Sequence, residues 1–76
     1  RKADILSRRN LREKISAFLS EEYRKKGTSS FHIPYNRQQM ADYLSTDRSA
    51  LSKELSRMKQ EGILDYNHNW FHLKSF

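Results

Sequence analysis

The segment from Met40 to Met58 constrains this chain more than any other. Apolar residues recur at helical spacing at Met40, Ala41 and Leu44, and again at Leu51, Leu55 and Met58, but Ser45, Thr46 and Asp47 interrupt the run. Two amphipathic helices joined by so short a turn must cross at close range, and Ala41 is small where their backbones would meet. The ends of both helices are marked. Asn36 is placed as an N-cap with Gln39 three residues on, where a capping box puts its reciprocal acceptor, and that helix is expected to run to about Leu44. Asp47 suits the N-cap of the next, which should run to about Glu61 and stop at Gly62.

A further helix is expected upstream, from about Ser7 to Lys26. Leu11, Ile15, Phe18 and Leu19 form its apolar stripe, Tyr23 extends it, Ser7 or Asn10 caps its start, and Gly27 ends it. Phe31, His32 and Ile33 read as a brief strand that Pro34 stops. Beyond Gly62 the period changes to two. Ile63–Tyr66 and Trp70–Leu73 are β-prone runs separated by Asn67, His68 and Asn69, a three-residue hairpin loop with asparagines tolerant of positive φ. The order helix, strand, helix, turn, helix, hairpin defines a mainly α fold with a small β hairpin: a winged helix-turn-helix of three helices plus wing. It should occupy residues 8–76, with residues 1–7 as a linker from a missing upstream domain. The chain begins with Arg1 and not Met, so it is expected to be a piece of a longer protein.

Composition sets the outer limits. Seventy-six residues make one domain whose core has little margin, and with no cysteine neither disulfide nor thiolate metal site can reinforce it. No apolar run is long enough to span a membrane and no signal peptide is evident, so a soluble cytoplasmic protein is expected. A net charge of +6 favours polyanionic partners.

That charge acquires a location on the helix after Asp47. Opposite its buried stripe lie Ser49, Lys53, Ser56, Arg57 and Gln60, flanked by Arg48 and Ser52. Small hydroxyls let such a helix sink into a major groove, and Arg or Lys can then donate to guanine O6 and N7. Arg48 sits in the first turn, where recognition helices meet base edges. The same face is equally compatible with an ordinary solvated surface, and the architecture around it decides for the groove.

From Asn36 to Leu64 the sequence resembles the DNA-binding half of the Crp/Fnr family of bacterial transcription regulators, and the likeness runs without gaps over about residues 34–73. Arg37-Gln38 matches the family's Arg-Gln opening, Met40-Ala41 and Leu44 its Leu-Ala-x-x-Leu, and Arg48, Ser52-Lys53 and Leu55 its recognition helix. Gly62-Ile63-Leu64 matches the Gly-Ile-Ile before the wing. The resemblance implies base contacts from Arg48, Ser49, Ser52 and Lys53, and phosphate contacts from Arg37, Gln38 and the wing near His68. Ser56 and Arg57, farther along the helix, are expected at phosphates too. It also implies a homodimer on a palindromic double-stranded site, driven by an upstream effector-binding domain, with no cofactor in the present domain. Three positions depart from the pattern: Ser45 replaces the turn glycine, Ser49 the glutamate that accepts from cytosine, and Lys53 the second arginine, a point donor where the family has a fork.

Other chemistries find less support. His32, His68 and His72 are the only histidines, and no carboxylate or cysteine completes a metal set with them. No motif places a nucleophile with a base, and two glycines do not make a phosphate loop, so no enzyme is expected. Trp70 and Phe71 are candidate stacking platforms for single strands, although on an alternating strand one of them should be core. Arg8, Arg9, Arg12 and Lys14 read as the solvated face of the first helix, with contact to phosphates or acidic surfaces as the other option. The main functional alternative is a winged helix used for protein interaction, with the third helix as its docking face.

Overall fold

A computed structural model describes residues 10–76. The expected linker 1–7, the Ser7 cap, Arg8 and Arg9 lie outside the described residues. Helix α1 spans Leu11–Lys26, α2 Arg37–Tyr43 and α3 Arg48–Gln60, with strands β1 at Ser30–His32, β2 at Leu64–Asn67 and β3 at Trp70–Leu73. This is a winged helix-turn-helix, and the caps are where the sequence marks them. Asn10 accepts from the Glu13 amide, and the Gly27 amide closes α1 on the Tyr23 carbonyl with φ at 71°. Asn36 and Gln39 complete a capping box, each side chain accepting from the other's backbone amide at 2.8 and 2.9 Å. Asp47 accepts from the Ala50 amide at 2.7 Å. Between α2 and α3 the chain reverses through Ser45, whose φ of 58° is left-handed, and the Thr46 amide reaches back to the Ala41 carbonyl.

The core joins Ile15, Phe18 and Leu19 of α1, Met40 and Ala41 of α2, Leu44, and Leu51, Leu55 and Met58 of α3 to Phe31, Ile33, Leu64, Phe71 and Leu73. Tyr23 does not extend the α1 stripe and is 39% exposed. Helical drift explains this: relative to Ile15, Tyr23 is turned roughly 80° away whereas Glu22 is within about 20°. Glu22 is the residue that becomes buried, with Lys25 and Lys26 beside its carboxylate at 3.5 and 3.9 Å.

The three strands form one antiparallel sheet in the order β1-β3-β2, so the strand after α1 completes the wing. Asn67 pairs with Trp70, which makes the hairpin loop two residues long, His68 and Asn69, and not three. The positive φ falls on His68, at 54°, and not on an asparagine. Tertiary contacts account for the difference. Asn69 is committed to Ile33, whose amide donates to the Asn69 carbonyl at 2.9 Å and whose carbonyl accepts from Asn69 Nδ2 at 3.0 Å.

One interhelical ion-pair cluster fixes α3 against α1. Arg12 Nε donates to Glu54 at 2.6 Å, and its Nη1 and Nη2 grip both oxygens of Glu61 at 2.8 and 3.0 Å. Glu54 also accepts from Arg57 at 3.0 Å. These bonds raise the Arg12 pKa above its ordinary value, Glu61 contributing most, and hold the Glu61 carboxyl below the usual glutamate range. Lys14 donates to the Leu44 carbonyl at 3.2 Å. Arg12 and Lys14 thus tie α1 to its neighbours instead of lying on a plain solvated face.

Ser45→Gly relieves the left-handed strain in the turn and should raise stability by about 1 kcal/mol in urea unfolding, with Asp47→Ala lowering it by about 1 kcal/mol as the opposite control. Because Glu61 has a depressed pKa in the folded state, its stabilising part is present above the unfolded-state value and is lost as pH falls through the folded one. A carboxyl NMR titration should find Glu61 titrating below an ordinary glutamate, and Arg12→Met should return it to the ordinary range.

Candidate nucleic-acid interface

Helix α3 buries one stripe, and its remaining circumference divides into three zones that the helical period fixes. Ser49, Lys53, Ser56 and Gln60 face outward, roughly opposite Leu51, and are exposed. Arg48 and Ser52 lie on the flank toward the wing, where both line a cleft. Glu54 and Arg57 lie on the other flank, toward α1, within the Arg12 cluster.

The cleft has a volume of about 630 Å³. Its walls are the start of α3 (Arg48 and Ser52), the lead into α2 (Pro34, Tyr35, Asn36 and Arg37) and the wing (Tyr66, His68 and Asn69). Four of the residues expected to contact DNA, Arg37, Arg48, Ser52 and His68, are therefore brought together although they span 32 positions of sequence. Ser49, Lys53 and Ser56 stand outside it on the exposed face of α3, and Gln38 is exposed on α2 with its amide donating to Asp42 at 3.0 Å. Tyr35, Tyr66 and Asn69 were not singled out as site residues by sequence reasoning. Tyr35 stacks on Tyr43 at 6.2 Å and touches Phe18 of α1 at 5.9 Å, which ties that wall of the cleft to the core.

Away from the cleft and the outward face of α3 most cations are matched by carboxylates, Lys14 and Lys74 being the exceptions among the described residues. Arg24 pairs with Glu21, Lys25 and Lys26 with Glu22, Arg57 and Arg12 with Glu54, and Lys59 with Asp65. Arg37, Arg48 and Lys53 have no carboxylate partner among the described residues, and no Asp or Glu lines the cleft. The Arg37 pKa is lowered, first by burial, with the charge of nearby Arg48 adding to the effect and Tyr66 opposing it. Two guanidinium groups close enough to repel, with no acid between them, make an electropositive recess.

Of the other candidates, Phe71 is fully buried, so Trp70 and Phe71 do not form a paired stacking platform. Trp70 is half-buried on the outer face of the sheet, parallel to the His72 ring at 6.2 Å, and His72 Nδ1 lies 2.6 Å from Ser30 Oγ. Among the described residues no group of three or more His, Asp or Glu side chains is placed to hold a metal ion, and no helix is long and apolar enough to cross a membrane.

Comparison with known proteins agrees with this geometry. The Crp-like helix-turn-helix domain family matches residues 13–75, which takes in α2, α3, the wing and all but the first two residues of α1. The transcriptional activator protein FnrL of Cereibacter sphaeroides is 30% identical over 69 residues, an overlap covering 79% of this chain and 28% of FnrL. The chain thus spans a little over a quarter of the length of that relative. With a helix-turn-helix, a wing and a basic cleft between them, and with the family match covering most of its length, the chain belongs to the Crp-like helix-turn-helix domain family, the winged DNA-binding domain of Crp/Fnr-type transcription regulators.

Proposed function

We propose that this domain binds double-stranded DNA sequence-specifically, with α3 in the major groove and the wing against the adjacent backbone. The observation that carries the reading is the distribution of partnerless cations. Arg48 and Lys53 stand on the wing-side and outward zones of α3 without a carboxylate among the described residues, whereas Arg57 and Arg12 on the opposite flank are neutralised by Glu54 and Glu61. Polyanion affinity is thereby concentrated on the one surface whose small side chains, Ser49 and Ser52, permit close approach.

Arg48, Ser49, Ser52 and Lys53 address base edges in this reading. Gln38, Ser56, Arg57 and His68 lie beside phosphates, Arg57 exchanging its bond to Glu54 for one to DNA, and Arg37 belongs to the same border at the base of the wing. The domain serves as the non-catalytic output of a bacterial cytoplasmic regulator that binds a palindromic site as a homodimer, each copy reading one half-site. It holds no cofactor of its own, and effector binding belongs to a separate part of the protein.

An NMR titration with a mixed-sequence duplex at low and moderate salt tests the reading first. Shifts should concentrate at Arg37, along residues 47–57 and in the wing, and should fade as salt rises. Once a preferred half-site is known, Arg48→Ala should cost about 1–3 kcal/mol and relax preference at one base pair. An equal loss on every sequence would make Arg48 a phosphate contact. Shifts confined to α1, or none at low salt, would favour a protein-docking surface.

A further inference from the structure

Arg37 differs from the other partnerless cations of the interface in being already engaged. Its Nη2 donates to the main-chain carbonyl of His68 at 2.7 Å, and its Nη1 lies 3.7 Å from the Met40 sulfur. The guanidinium carbon stands 5.5 Å from the centroid of Tyr66 and 5.4 Å from that of Phe71. The side chain is half-buried, while Arg48 and Lys53 are exposed and make no such bond. A guanidinium that has left part of its hydration behind and given a fork nitrogen to a carbonyl is poorly placed to serve as a mobile phosphate ligand.

The acceptor matters as much as the donor. His68 is the first residue of the two-residue wing turn and holds a left-handed φ of 54°. The second, Asn69, is fastened to Ile33 by two hydrogen bonds. The wing tip is consequently fixed at two points, one on the segment before α2 and one on the first residue of α2 itself. The two turn residues held in this way, His68 and Asn69, line the same cleft as Arg48 and Ser52. Removing the Arg37 bond would leave His68 without a tie of its own, the tip then being held only through Asn69 and the strand pairing at Trp70.

We propose that Arg37 is a positioning residue for DNA binding: by holding the His68 carbonyl it sets the wing tip against the start of α2, and so the span of the cleft, and it acts on the duplex through the wing and not by a phosphate contact of its own. The inference rests on the DNA-binding reading of the cleft. Lysine separates the two roles, because it keeps the charge but loses the planar fork that lies over Tyr66 and Phe71 while bonding His68.

The experiment compares the unaltered chain with Arg37→Lys and Arg37→Gln by thermal melting, by amide NMR of the free proteins, and by affinity for a mixed-sequence duplex across a salt series. A positioning role predicts that both variants stay folded and that the amides of His68, Asn69 and Ile33 shift in both. Each variant should bind about tenfold more weakly, the factor expected for one charge-assisted hydrogen bond, with the salt-dependence slope unchanged. Near-full affinity in the lysine variant, together with a slope reduced by about one in the glutamine variant, would overturn the proposal in favour of a direct phosphate contact. So would wing amides unmoved in both. Failure of the unaltered chain to bind duplex at low salt is a separate result, which removes the DNA reading itself and the positioning role with it.

Discussion

Everything at the interface depends on how α3 is held. Leu51, Leu55 and Met58 are fully buried, and they are the only part of the helix the core needs. Three side chains on one stripe fix the rotation of a helix about its axis. Burying a side chain of this size contributes roughly 1.5–3 kcal/mol, so turning the helix to present another face would forfeit several such contributions. The outward zone is thereby left free of packing duties, which is why it can consist of serines, a lysine and a glutamine. In a chain with no cysteine and a modest core, that allocation is tight. Every large apolar residue of α3 serves stability, Glu54 and Arg57 belong to the ion-pair cluster, and the outward positions are available for recognition.

Rotation alone does not set the tilt of α3, and the two flanks of the helix handle tilt differently. Toward α1 there is a charged cluster in which Arg12 meets Glu54 and Glu61. Exposed ion pairs contribute little to net stability, typically under about 1 kcal/mol each, but this one is multidentate and directional. Its consequence is electrostatic as well as mechanical. Glu54, the one acid within α3, and Glu61 at its C-cap are matched on the α1 side, so the positive field is left on the wing side. A helix carrying the same residues with Glu54 moved one position would place a carboxylate on the zone proposed to approach DNA.

Most of the fold was legible because its signals are local. Asn36 with Gln39, Asp47 before Ala50, and Gly27 and Gly62 at helix ends are chemistry within a few residues, and the apolar stripes of α2 and α3 need only the helical period. The misplaced features are those decided at a distance. The hairpin loop is two residues long because Asn69 is claimed by Ile33, 36 positions away, and no hairpin rule contains that contact. Tyr23 is a local exception: it follows Ile15 and Leu19 at steps of four, while the helical period of about 3.6 carries Glu22 inward, beside two lysines in the next turn. Of the candidate site, the recognition-helix residues followed from one helix face. The convergence of Arg37, Arg48, Ser52 and His68 on one cleft required the sheet to dock, and Tyr35, Tyr66 and Asn69 had no sequence signal beyond being aromatic or turn residues.

The departures from the family pattern carry a consequence for what α3 can discriminate. A glutamate at position 49 would accept from cytosine N4 and repel phosphate, and it would also partly cancel the charge of Arg48. Ser49 does neither; its hydroxyl both donates and accepts, so it permits approach without imposing a choice. Lys53 supplies charge without the bidentate geometry that selects guanine. In the proposed reading the strict selectivity of this face therefore rests on Arg48, the one guanidinium that α3 itself contributes to the cleft. Shape and deformability of the duplex then have to supply more of the remaining preference than they would for a helix bearing glutamate and a second arginine. A rigid wing suits that division of labour, because reading shape requires the distance between wing and helix to be fixed before DNA arrives. Asn69 fixes it from one side, and the His68 carbonyl, held by Arg37, fixes it from the other.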